Sequence, residues 1–170
     1  MKKVIFILVA VLGFATANAQ DHFKAGDVTL SGKVTGLDFS IMNYDGVDDS
    51  YINVDFGIDG SYFVIDRLAV TAGVGLQSTK FGDDSNTDIN FTIGARYYVW
   101  DALFAGIAYT GVKRGDEGAD LLNYGGIQVG YTYYLSDKVF FEPALNFNMG
   151  FGDTNKVTQF GLSIGIGINF

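Results

Sequence analysis

Phe160-Gly-Leu-Ser-Ile-Gly-Ile-Gly-Ile-Asn-Phe170, the carboxy-terminal stretch of the chain, decides the fold. Phe160, Leu162, Ile164, Ile166, Ile168 and Phe170 take every even position, and Gly161, Ser163, Gly165, Gly167 and Asn169 every odd one. A period of two residues puts the first set on one face of a β-strand and the second on the other. In a soluble sheet such a bulky apolar face packs on a core supplied by other segments. Here other segments repeat the same pattern, and the chain ends on an aromatic residue. That combination fits the closing strand of a barrel, with its apolar face toward lipid and its small, polar face toward the lumen.

Seven more strands are expected upstream. The first covers about 27–41, where Val28, Leu30 and Val34 hold one phase and Leu37, Phe39 and Ile41 the other. A bulge near Gly36 would reconcile the two. The second runs from Tyr51 to about Val64 and the third from Leu68 to Gln77; the fourth spans 89–99, the fifth 103–110, the sixth 127–135 and the seventh 139–149. Each alternates apolar with small or polar residues, as in Leu68, Val70, Ala72, Val74 and Leu76 against Ala69, Thr71, Gly73, Gly75 and Gln77. Pro143 cannot donate to a ladder and calls for a bulge or an unpaired position.

Tight connections, around 65–67, 100–102 and 136–138, alternate with longer ones at about 42–50, 78–88, 111–123 and 150–157. Short periplasmic turns and longer outer loops are the asymmetry of outer-membrane barrels, with both termini on the short-turn side. A strand of about 12 residues tilted by about 40° is roughly 30 Å tall, enough for the hydrocarbon layer. The aromatics Tyr62, Phe63, Tyr97, Tyr98, Trp100, Phe104, Tyr133, Tyr134, Phe140, Phe141 and Phe170 fall beside the tight turns or the carboxy-terminus, as an interfacial girdle would.

Composition narrows the class. The chain of 170 residues holds one proline, 23 glycines and no cysteine. Residues 1–19 read as a cleaved signal peptide: Lys2 and Lys3, an apolar run from Val4 to Phe14, and Ala17-Asn-Ala19 as the cleavage site. Residues 20–170 then form one barrel domain. Beyond residue 19 no apolar run reaches helix-spanning length. The net charge is −8, which argues against nucleic acid as a partner.

At these residues the chain resembles the small eight-stranded outer-membrane barrels of the OmpA/OmpX type, the porin-like "outer membrane protein beta-barrel domain" proteins of Gram-negative bacteria. The resemblance covers all residues after 19. It is carried by Gly60-Ser-Tyr-Phe-Val-Ile-Asp-Arg-Leu-Ala-Val70 and by the strand ending in Phe170. Ser61 between Gly60 and Tyr62 departs from the family's hairpin pattern. The resemblance implies an all-β, antiparallel, up-and-down transmembrane barrel in the outer membrane, both termini periplasmic, and a monomer. It implies contact with lipid and lipopolysaccharide. It also implies a barrel-insertion signal read by the insertion machinery, matched here by Leu162, Ile164, Ile166, Ile168 and Phe170. Members of the family differ in activity, so function must come from the site.

Catalysis has little to rest on. His22 is the only histidine and lies near the expected mature terminus. Some barrels of this size acylate lipid A with a histidine at the outer rim, and no expected outer loop holds one. Cysteine nucleophiles and the sequence motifs GxSxG and HExxH are absent. No enzyme, cofactor or metal centre is expected. The acidic loops (Asp45, Asp48 and Asp49; Asp83, Asp84 and Asp88; Asp116, Glu117 and Asp120; Asp153) are either solvated or bind divalent cations, though none has the full EF-hand spacing.

The charges in the inward phase carry more information: Lys33, Asp55, Asp59, Arg96 and Glu142. Arg96 lies four residues before Trp100 and Glu142 five after Asp137, so both are expected low in the barrel at similar height, on strands facing each other across the lumen. Buried charges pair or stay hydrated. Two function classes remain. One is a structural or surface-interaction protein with a largely plugged polar lumen; the other is a narrow channel for ions or small solutes.

Overall fold

The computed structural model describes residues 23–35, 51–81, 84–100, 102–115, 120–152 and 158–170. Eight antiparallel strands form a closed barrel: β1 (Val28–Thr35), β2 (Tyr51–Ile65), β3 (Leu68–Phe81), β4 (Asp84–Tyr98), β5 (Leu103–Lys113), β6 (Leu122–Tyr131, resuming at Tyr133–Tyr134), β7 (Val139–Phe151) and β8 (Thr158–Asn169). Each pairs with its sequence neighbour, and β1 pairs with β8 from Thr29↔Asn169 to Thr35↔Ser163, so the ladder closes on itself. Closure gives every wall strand a partner on both sides, which a hydrocarbon surrounding demands. Phe170 N donates to Val28 O at 2.9 Å, placing both described chain ends at the rim that carries the tight turns.

The three tight turns stand where the sequence places them. Arg67 adopts the left-handed conformation (φ 68°) between β2 and β3, and the register shifts between Phe63 and Ile65 just before it. Val99 N donates to Leu103 O across the second turn, and Leu135 N to Val139 O across the third. The long loop expected at 78–88 is a correction. β3 and β4 stay paired through Ser78↔Thr87 to Phe81↔Asp84, so strand replaces loop there. Polar residues at these positions read as a loop, because they carry no apolar alternation to mark a strand. The first strand is described only to Thr35; the bulge near Gly36 and Leu37 to Ile41 lie outside the described residues. So do the signal segment, His22, and the acids Asp45, Asp48, Asp49, Asp83, Asp116, Glu117 and Asp153.

Pro143 pairs with Ile164 on β8 but stands at a lapse in the β6–β7 ladder. Gly130↔Ala144 and Tyr133↔Phe141 share one register, and the ladder between them lapses opposite Glu142 and Pro143. On the other side of β6, Thr132 N donates to Ala102 O at 2.8 Å, continuing the β5–β6 register. Proline, lacking an N–H, is tolerated where the ladder on one side lapses.

The facing follows the alternation. Val70, Val74, Ile93, Ile107, Ile127, Val129, Ile164 and Ile166 are exposed on the outer wall, while Ser61, Thr71, Asn90 and Ser163 are buried inside. The aromatic girdle, however, splits. Tyr62 is 53% exposed but Phe63 0%, and Tyr97 is 50% exposed but Tyr98 3%. Phe104 and Phe140 also turn inward, whereas Trp100, Tyr133 and Phe170 stay outside. The cause is the same period of two: adjacent aromatics on a strand must take opposite faces. Room for the inner rings comes from glycine. A Cβ at Gly130 would overlap the Phe104 ring, and one at Gly167 the Phe140 ring.

Candidate functional site

The lumen is built in layers from the tight-turn rim upward. At the bottom lies an apolar floor of Phe23, Phe63, Ala69, Tyr98, Phe104 and Ala144, with Tyr134 packed against it. Tyr98 is central: its ring lies 5.5 Å from Phe63 and 5.5 Å from Phe104. Tyr134 meets Phe140 edge-on at 5.9 Å. Such tilted contacts suit the aromatic quadrupole. This floor was not expected from the sequence, although every strand residue in it falls in the inward phase. The signal was the aromatic pair at each tight turn, whose second member cannot share the girdle with the first.

Directly above it, Arg96 Nη1 on β4 donates to Glu142 Oε1 on β7 at 2.6 Å, a buried ion pair spanning the lumen. Thr132 Oγ1 donates to the other carboxylate oxygen at 2.9 Å. The Arg96 guanidinium carbon lies 4.8 Å from the centre of the Phe104 ring. Both Glu142 oxygens thus have donors, and the guanidinium gains an aromatic face, which is how a charge pair withdrawn from water is kept. Thr132 is buried in the inward phase of β6, which turns its hydroxyl toward the pair.

Above the pair lies a polar chamber of about 120 Å³, lined in part by Lys33, Asp55, Asp59, Thr92, Arg96 and Gln128. At ~30 Å³ per molecule it has room for a few waters. Of the five expected lumen charges, Arg96 and Glu142 meet directly. Lys33 and Asp59 lie on the paired strands β1 and β2, two residues apart in register, and both line the chamber; Asp55 accepts from Asn90 Nδ2 at 2.8 Å. A second polar row runs around the other wall: Gln128 Nε2 donates to Asn146 Oδ1 (2.7 Å), and Asn146 Nδ2 to Ser163 Oγ (2.9 Å). Thr92 and Thr110 share a hydrogen bond of 3.1 Å. These pairs join adjacent strands and fix register from inside.

On β8, Ile164, Ile166, Ile168 and Phe170 are exposed on the outer wall and Leu162 is half-buried there. Among the described residues no three metal-ligating side chains come together. Asp88 is committed to structure, accepting from Gly115 N at 3.2 Å where β4 outruns β5.

No protein-family model and no curated protein matches the sequence. Solved structures do match. Neisserial surface protein A superposes with a TM-score of 0.61 at 16% identity, covering 86% of this chain and 98% of that one. The amino-terminal β-barrel domain of Pseudomonas aeruginosa OprF gives 0.56 at 15% identity, over 86% and 98%. The chain has the fold of the small outer-membrane barrels. A transmembrane β-barrel designed de novo matches nearly as well, with a TM-score of 0.53 at 17% identity over 86% and 98%. Outer-membrane barrel proteins and a designed barrel thus share one likeness, so it speaks for architecture, and activity must be argued from this chain's own lumen and rim.

Proposed function

We propose that this chain is an integral protein of the bacterial outer membrane with a structural or surface-interaction role, its tight-turn rim and both termini in the periplasm and its lumen closed. The observation that carries the reading is the stacking of two barriers, the aromatic floor and the Arg96–Glu142 pair above it. An eight-stranded barrel has just enough interior for side chains to fill, and here they do so across the lower lumen. In this reading residues 1–19 are a cleaved export signal. The outer wall contacts lipid and lipopolysaccharide, the strand ending in Phe170 is the feature engaged by the insertion machinery, and the barrel works as a monomer without catalysis.

The polar chamber favours a second reading, a narrow channel for ions or small solutes. Single-channel recording of the purified protein in a planar bilayer separates the two. The closed-lumen reading expects very low conductance with rare openings. A large, steady conductance would place the protein among open channels and overturn it.

A further inference from the structure

Phe23 is the one ring of the floor that precedes the barrel wall, since β1 begins at Val28. It reaches the mouth because Gly26 takes a left-handed conformation (φ 96°), which turns the chain under the barrel. A side chain at position 26 would be strained in that conformation. The ring then stacks on Tyr98, centroids 3.8 Å apart and planes 23° from parallel, and lies 5.5 Å from Phe63 and 6.0 Å from Tyr134.

The backbone of this segment is held mainly by one hairpin. Arg67 N donates to Phe23 O (2.9 Å), Gly26 N to Phe63 O (2.8 Å) and Phe63 N to Asp27 O (3.0 Å). Ala25 N donates to Asp66 Oδ1 at 2.9 Å on the exposed β2–β3 turn. By contrast, Tyr98 and Phe104 are bonded to neighbouring backbone on either side, whereas Phe63 pairs with Ala69 on one side and with the Phe23–Asp27 segment itself on the other. Moving Tyr98 or Phe104 breaks the wall; moving Phe23 breaks the hairpin bonds of this segment and the contacts of its ring with Tyr98, Phe63 and Tyr134.

We propose that Phe23–Asp27 is a displaceable cork in the periplasmic mouth, acting in series with the Arg96–Glu142 pair, so that water and small ions cross only when both are released. The path is open only while both are open, so the two opening probabilities multiply and releasing one barrier alone still leaves the other shut most of the time. The proposal rests on the closed-lumen reading above, and its test separates the two.

Conductance is compared for the parent, Phe23→Ala, Glu142→Ala and the double variant, with heat-dependent gel mobility as the check of barrel folding. The expected result is a nearly closed parent and single variants, and a several-fold higher open probability in the double variant. Asp66→Ala, which removes one anchor from an exposed turn, should act in the same direction but more weakly when combined with Glu142→Ala. If Phe23→Ala prevents folding, that Asp66→Ala combination decides alone. No gain over Glu142→Ala in a folded double variant would overturn the cork while leaving the closed lumen standing. A widely open parent would overturn the closed-lumen reading itself.

Discussion

The Arg96 guanidinium lies above the face of the Phe104 ring, 4.8 Å from its centre, so the charged layer of the lumen rests directly on its aromatic floor. Glu142 holds Arg96 from the opposite wall. Removing Glu142 would strand a guanidinium between a ring and a threonine. We expect Glu142→Ala to lose about 3 kcal/mol of stability, the scale of a broken buried pair. Unfolding in denaturant, followed by gel mobility, would measure it. Adding Arg96→Ala should restore part of the loss; a purely additive double variant would mean the two charges are not coupled.

Two glycines on β8 should respond oppositely to substitution. Gly167→Val drives a side chain into the Phe140 ring, an overpacking that costs about 1–3 kcal/mol. At Gly165 the nearest atom to a new Cβ is Glu142 Cβ at 3.7 Å, an ordinary contact, so Gly165→Ser should be nearly silent. Thermal unfolding of the pair tests this; equal losses would mean the floor is not packed as described.

On the outer wall, Ile164→Arg and Val129→Arg set a charge among exposed apolar neighbours. In lipid this costs about 2–4 kcal/mol near the midplane. Variants that refold into vesicles as well as the parent would show that this wall does not face hydrocarbon.

Deleting Phe170, exposed at the end of β8, should lower the amount of protein reaching the outer membrane and raise periplasmic degradation. Fractionation of cells expressing the deletion provides the measure. An unchanged membrane level would remove Phe170 from the insertion signal.

Alternation made the wall legible. Ile164, Gly165 and Ile166 announce their faces because lipid and lumen impose opposite demands on neighbouring positions. The charge pair was legible for the same reason: Arg96 and Glu142 share the inward phase and similar distances from their turns. The extended β3–β4 hairpin was not, since residues 78–88 are mostly polar and carry no apolar alternation to mark a strand. Phe23 was not either, because nothing local ties a residue ahead of β1 to Tyr98 on β4; only closure of the barrel brings them together.

The paired aromatics Tyr62–Phe63 and Tyr97–Tyr98 have a consequence for depth. Neighbours on a strand differ in height by at most one residue's rise, about 3.3 Å. The outward ring of each pair and the inward ring of the floor therefore lie at nearly the same level of the wall. In the proposed membrane setting, a barrel that tilts or sinks carries its aromatic floor with it, and the polar chamber keeps its fixed height above that floor.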